Sequence, residues 1–324
     1  MNYATSFRLA GTKSFRRSAS KLLGQYGGNA QNPPPALCRC IVPSAPDRSF
    51  IQPDQSGAES LIVAMEAGNG LYRRILEAGI KQHSYIALHA FIDEFRGTHD
   101  RSRYWKCDPY TLRGYPEWKS LNAAIKSSGS RYDLGKMTNH ARAYRMRWPT
   151  FQIKVLTDTD GKVVLSNEEA KDFLNLWDDL FPEVLLWQAK IEAQVREHRR
   201  LENLFGYPRE FYGRMNDELI REAISWIPQS TVGCITLDAE SNFIDYIEAN
   251  GKHDWWFLND KHDSFLVEAP DRDIEECSNV MRKLIEVDLV SSHGEKFKMK
   301  SGVSIGKNWG KYHPETNPQG MREL

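Results

Sequence analysis

The stretch Phe50-Ile51-Gln52-Pro53-Asp54-Gln55-Ser56-Gly57-Ala58-Glu59 changes its pattern halfway along. Phe50 to Pro53 reads as a short extended run, while Leu61, Ala64 and Met65 recur at helical spacing between Ala58 and Ala67 until Gly68 and Gly70 stop them. Asp54 is therefore expected at a strand-to-helix corner. Outward from that corner, Leu71 to Phe91 is helical in pattern. Arg131 to Trp148 predicts another helix closed by Pro149, and Phe151 to Leu165 predicts a β-hairpin turned at Asp160-Gly161. Ser166-x-x-Glu169 is a capping box ahead of Phe173, Leu174, Trp177, Leu180 and Phe181, and Pro182 restarts the chain as a helix to about Leu201. Trp256-Phe257-Leu258 and Phe265-Leu266-Val267 are strand-like pieces flanking Asp260-Lys261-His262-Asp263. Asp273-x-x-Glu276 is expected to cap a helix carrying Ile274, Cys277, Met281 and Leu284, and Lys296 to Ile305 alternates as one half-buried strand. Long helices with separated hairpins, and no βαβ period, predict an α+β fold.

The whole chain has 324 residues, 43 basic against 43 acidic, with 40% hydrophobic and 11% aromatic residues. This is the composition of a globular protein of about two domains, and it excludes disordered, collagenous and coiled-coil classes. No apolar run approaches the roughly 20 residues needed to cross a bilayer. The five cysteines show no Cys-x-x-Cys pair, which points to free thiols in a reducing, cytoplasmic setting. The charge is uneven: Arg8, Lys13, Arg16, Arg17, Lys21 and Arg39 precede any acid, and Arg131 to Lys154 carries six cations against Asp133. Such strips read either as phosphate contacts or as solvated faces.

Three local motifs lead nowhere. Gly302-Val303-Ser304-Ile305-Gly306 has the nucleophile-elbow letters but continues a strand alternation where the elbow needs a strand-to-helix turn. Gly129 to Lys136 misses the phosphate-loop spacing, and Met137 stands where Ser or Thr would hold magnesium. His83 and His89 are six apart and miss the i, i+4 spacing of a helical zinc pair.

Taken in order, other segments resemble the polymerase domain of family A DNA polymerases, the DNA polymerase I type, and its phage relatives most of all. Ser14 to Ser20 and Asn29-Ala30-Gln31-Asn32-Pro33 resemble the primer-template contact segments, and Asp54-Gln55-Ser56-Gly57-Ala58-Glu59 resembles motif A. Lys136-x-x-Asn139-His140-x-x-x-Tyr144 resembles motif B. Arg221-Glu222-Ala223 with Pro228-Gln229-Ser230, and Lys261-His262-Asp263-Ser264, resemble the later palm region and motif C. Gly306-Lys307-Asn308-Trp309-Gly310 resembles the usual family terminus.

The resemblance implies a palm with a small antiparallel sheet and helical fingers of a right-hand polymerase. The palm would comprise residues 1–68 and 229–324 and the fingers residues 69–228. It implies template-directed addition of dNTPs to a primer 3′-hydroxyl, with two Mg2+ ions held by Asp54 and Asp263, hard cations requiring carboxylate oxygens. Lys136, His140 and Tyr144 fall at i, i+4 and i+8, so one helix face would present a cation and two rings to a nucleotide. His83 resembles a phosphate-contacting histidine, and Glu59 would crowd the sugar 2′ position against ribonucleotides. Arg16, Gln31, Asn32, Arg221, Gln229 and His262 would contact primer-template DNA.

The sequence also departs from the pattern: Ser264 replaces a Glu, His140 a Phe or Tyr, and Arg145 and Ser230 replace glycines. Segments that precede the primer-contacting stretch in the family, the thumb and exonuclease among them, are expected to be missing. The chain would then be a truncated product, a small self-sufficient enzyme, or half of a split polymerase completed by a separate chain. In a bacterial or phage-infected cell it would act in replication or repair. The alternative is a noncatalytic primer-template DNA-binding fragment.

Overall fold

The computed structural model describes residues 6–8, 12–20, 30–31, 33–55, 57–261 and 263–324. In chain order the elements are β1 (Ser6–Arg8), β2 (Ser18–Ser20), α1 (Pro35–Cys38), β3 (Arg48–Asp54), α2 (Ala58–Ala67), α3 (Leu71–Glu77), α4 (Gln82–Ala90), α5 (Ile92–Phe95), α6 (Arg101–Tyr104), α7 (Pro109–Gly114), α8 (Trp118–Ser127), α9 (Ser130–Ala143), α10 (Trp148–Asp158), α11 (Asn167–Leu180) and α12 (Pro182–His198). They continue with β4 (Arg200–Glu202), β5 (Pro208–Glu210), α13 (Asp217–Asn250), β6 (Trp256–Lys261), β7 (Ser264–Pro270), a 3₁₀ turn (Asp271–Asp273), α14 (Ile274–Ile285), β8 (Asp288–Val290), β9 (Lys296–Lys298), β10 (Gly302–Gly306) and β11 (Arg322–Glu323). Helices with small antiparallel sheets make an α+β fold, as the pattern predicts. No helix among the described residues is long and apolar enough to cross a membrane.

The chain divides into two compact units. One comprises Met1–Glu59, Glu202–Tyr207 and Trp226–Leu324, and the other Ser60–Leu201 and Pro208–Ser225. The first is built on a five-stranded sheet of order β11-β10-β3-β7-β6. Alternation along β3 and β7 divides the side chains between two faces. Ile51, Phe265, Val267 and Val303 pack against Phe243 and Ile247 of α13 and against Cys277, Met281 and Ile285 of α14, which recur at i, i+4 and i+8. On the other face Phe50, Leu266 and Trp309 form a small second cluster.

The second unit is helical. Leu134, Met137 and Ala141 of α9 pack with Phe151 and Val155 of α10 and with Ala170 and Leu174 of α11. A Cβ on Gly135 would lie 2.5 Å from the carbonyl oxygen of His83, so the missing side chain is what lets α9 approach α4. The capping box is real: the Glu169 N–H donates to Ser166 Oγ, and the Ser166 N–H to Glu169 Oε2.

The structure corrects five local readings. Arg131 to Trp148 is not one helix closed by Pro149: α9 ends at Ala143, and Trp148 and Pro149 open α10. Phe151 to Leu165 is no hairpin: Pro149 lies in the first turn of α10, where its missing N–H is harmless, and Phe151 and Val155 are buried one helical turn apart. Asp160-Gly161 closes this helix, with Gly161 N–H donating to the Leu156 carbonyl and Asp160 N–H to that of Thr157, both residues at positive φ. Leu71 to Phe91 is two helices, because Gly79 at φ +71° ends α3 with the same pair of bonds, from Ile80 to Ile75 and from Gly79 to Leu76. Asp273 does not cap α14 through its side chain, which accepts from Trp255 Nε1 at 3.2 Å. Lys296 to Ile305 breaks into β9, paired with β8, and β10, paired with β3.

Candidate active site

Asp54 ends β3, and Asp263 sits in the tight turn between β6 and β7. The antiparallel register sets Asp54 opposite Ser264, and the Gln55 N–H donates to the Asp263 carbonyl at 3.4 Å. The two aspartates thus share one end of the sheet, Asp54 exposed and Asp263 half-exposed. Behind them a hydrogen-bonded chain crosses the strands: Trp309 Nε1 donates to Gln52 Oε1 at 2.7 Å, and Gln52 Nε2 to Ser264 Oγ at 2.9 Å. Ser264 is thereby a buried strut. Gln55 is also buried, its amide donating to Thr236 Oγ1 of α13 at 2.9 Å.

Among the described residues no cluster of three or more His, Cys, Asp or Glu side chains is of a kind to hold a metal on its own. A pair of accessible carboxylates nevertheless suits Mg2+, which takes one or two protein carboxylates and completes its shell with water and phosphate oxygens.

Other expected contacts of this unit engage one another. Arg16 Nη2 donates to Glu59 Oε1 at 2.5 Å, so the expected DNA contact and the expected sugar gate form an ion pair. Gln31 is 1% exposed: it accepts from the Ala19 N–H and donates to the Arg17 carbonyl and, at 3.4 Å, to Asp260. Arg17, which the sequence offers only as part of a basic strip, reaches Glu240 at 2.5 Å and Asp260 at 3.8 Å. Burial, and then Asp260, push the Glu240 carboxyl up to about 8, with Arg17 pulling the other way. An acid on an apolar helix face was the available signal, since Glu240 follows Ala239 and precedes Phe243 on α13. Asn32, His262 and Ser56 lie outside the described residues.

In the helical unit, α9 presents Lys136 and His140 as exposed residues one turn apart. The helix is held from behind. Trp177 Nε1 donates to Asn139 Oδ1, Arg142 grips both oxygens of Asp178, and Gln188 Nε2 donates to the carbonyls of Arg142 and Ala143. His83, on the first turn of α4, comes within 5.5 Å of the His140 ring and 6.0 Å of Tyr132, centroid to centroid. Burial, with His140, Lys136 and Lys81 nearby, lowers the His83 pKa to about 3, and its Nδ1 is buried without a hydrogen-bond partner. A cleft of 640 Å³, lined by Lys136, His140, Lys154, Lys162 and Asp133 among others, runs beside this row, a size common for small-ligand sites. Tyr144 is not on the helix but forms its half-buried C-cap, because Arg145 turns the chain at φ +59°. His89 is a satisfied core residue, bonded to the Tyr85 carbonyl and accepting from the Lys106 N–H. Arg221 and Gln229 both lie on α13, half-buried, on either side of Pro228.

This fold, an antiparallel sheet in one unit and packed helices in the other, has a counterpart among solved structures. In particular, the chain is similar to the POL domain of Pol1 from M. smegmatis, solved in complex with DNA primer-template and dNTP, with a TM-score of 0.66 and 18% identity. The alignment covers 94% of this chain and 48% of that one, so the chain spans about half the length of its neighbour. The likeness is one of fold. No family model and no curated protein sequence matches the chain.

Proposed function

We propose that this protein is a template-directed DNA polymerase of the family A type, adding dNTPs to a primer 3′-hydroxyl. The observation that carries this reading is the β3–β7 register, which joins Asp54 and Asp263 at one sheet end. Asp54 and Asp263 would hold two Mg2+ ions; when bound, these supply electrostatic stabilisation to the attacking and leaving oxygens of an in-line displacement. Residues 1–68 and 229–324 are assigned to the palm and 69–228 to the fingers.

Each side chain then has a part. Lys136 meets the triphosphate, His140 lays a flat ring against base or sugar, and Tyr144 closes the end of the row. His83, kept neutral by burial, offers an imidazole hydrogen bond to a phosphate oxygen without first bringing a charge. Glu59 narrows the sugar site, and its ion pair with Arg16 holds the carboxylate in one place. Arg16, Arg221 and Gln229, with Asn32 and His262, contact primer-template DNA through its backbone and shape, while base pairing carries the sequence. Gln31 contributes by fixing the backbone around Arg17. A cytoplasmic location in a bacterial or phage-infected cell goes with this reading.

The test is extension of a short primed template by the purified chain with dNTPs, with and without Mg2+. Extension that follows the template and needs Mg2+ supports the proposal. The second reading, a noncatalytic primer-template binding module, draws on Ser264 standing as a buried strut where the resembled motif has a third acid. DNA binding without extension would favour it.

A further inference from the structure

A second cleft, of 620 Å³, opens on the sheet face of the first unit, and Asp54 lines it together with Lys261, Trp309, Lys311, Tyr312 and Arg322. Lys311, Tyr312 and Met321 to Glu323 line it from a C-terminal segment that is built into the fold. The buried side chains of Asn308 and Asn317 exchange hydrogen bonds of 2.8 and 3.0 Å, and Asn317 also donates to the Lys311 carbonyl. The Met321 N–H donates to the Gly310 carbonyl at 2.7 Å, and β11 then adds to β10, with Arg322 opposite Ile305. Gly320 packs so closely that a Cβ would meet the Asn317 amide at 2.4 Å.

Inside the cleft, cations lie against rings, and the carboxylates of Asp54 and Glu323 share the lining. Lys261 Nζ lies 5.4 Å from the Trp309 ring, and the Arg322 guanidinium 5.2 Å from the Tyr312 ring. Aromatic faces flanked by cations suit a nucleic-acid base with its phosphate, because every base has a π-face and the cations match the backbone charge. A cleft of 620 Å³ is on the scale of a single small ligand such as one nucleotide. Building on the polymerase reading, which puts the primer 3′-hydroxyl beside Asp54, we propose that this cleft is a holding site for an unpaired 3′-terminal nucleotide of the primer. The terminal base stacks on Tyr312, and Lys261, Lys311 and Arg322 meet its phosphate. A mismatched end is thereby kept next to the carboxylates without being aligned for attack.

The test uses the full chain and two primed templates, one with a paired and one with a mismatched 2-aminopurine at the primer 3′ end. Wild type is expected to quench the mismatched terminal base on binding. In Tyr312→Ala this quenching is lost and affinity for the mismatched end falls about tenfold, while affinity for the matched primer is unchanged. Arg322→Ala, an exposed change that leaves the fold intact, is expected to lower the salt slope of mismatched-end binding by about one. Quenching and affinity that are the same in both variants, with unaltered thermal melts and a wild type that extends the matched primer, would overturn the holding site alone. A wild type that neither binds nor extends the matched primer would overturn the polymerase reading, and the holding site with it.

Discussion

Asp54 and Asp263 are brought to one end of the sheet by a register that hydrophobic pairing fixes, with Asp54 opposite Ser264 and Ile51 opposite Val267 in the buried face. Because side chains alternate along a strand, a slip of one residue would send Ile51 to the wrong face and Asp54 away from its partner. The core therefore specifies the carboxylate pair.

Gly135→Ala is expected to destabilise the helical unit by about 1–3 kcal/mol, since the new Cβ meets backbone that has no room to yield. The change also separates α9 from α4, so it should weaken nucleotide binding beyond its effect on stability. Thermal melts and dNTP titrations of the same sample check both, and a variant that melts like wild type contradicts the close packing.

Burial lowers His83 to about 3 and His89 to about 4, so between those values and about 6.5 the unfolded chain binds protons that the folded one does not. Stability should thus fall as pH drops below about 6.5, by at most on the order of 1.4 kcal/mol per pH unit for each histidine. His83→Gln should remove part of that loss. By NMR the His83 ring should remain neutral from pH 8 to 5 in the free protein, and bound dNTP should move its pKa upward. Protonation of the free protein near pH 6.5 would contradict this.

Glu240 runs the other way. Its folded pKa of about 8 lies above the ordinary carboxylate value, so its contribution is fully present at low pH and is lost as pH rises toward 8. Melts at pH 5, 6.5 and 8 should decline for this unit, and Glu240→Gln should flatten the decline. Equal slopes for both proteins would count against a buried, protonated Glu240.

Arg145 occupies a left-handed position at the end of α9, with Met146 N–H bonded to the Ala141 carbonyl and Arg145 N–H to that of Arg142. Glycine suits that position, so Arg145→Gly should gain up to about 1 kcal/mol, reduced by loss of the half-exposed ion pair with Glu192. A rise in melting temperature checks it, and a clear fall means that the ion pair outweighs the backbone gain.

Much of this was legible because local signals had one reading. The β3-to-α2 corner, the Ser166 capping box and the strands around Asp263 follow from short, strong patterns. Asp160-Gly161 misled because positive φ serves a tight hairpin and a helix terminus equally, and only the burial of Phe151 and Val155 decides between them. The 34-residue α13 was hidden by Pro228, which ordinarily interrupts a helix. In the site, the sequence offers Asp54, Asp263, Lys136 and His140 as candidates one at a time. That Arg16 pairs with Glu59, that Gln31 is buried, and that Gly135 brings His83 to His140 are tertiary facts with no local spacing to announce them.

The most direct measurement is single-turnover primer extension with Mg2+ by wild type, Asp54→Asn and Asp263→Asn, each first shown to bind the same primer-template. Each variant should retain DNA binding and lose extension by about 100-fold or more, the scale set by removing one group that stabilises developing charge. Extension at the wild-type rate by either variant would contradict the assignment of the paired aspartates as the catalytic centre.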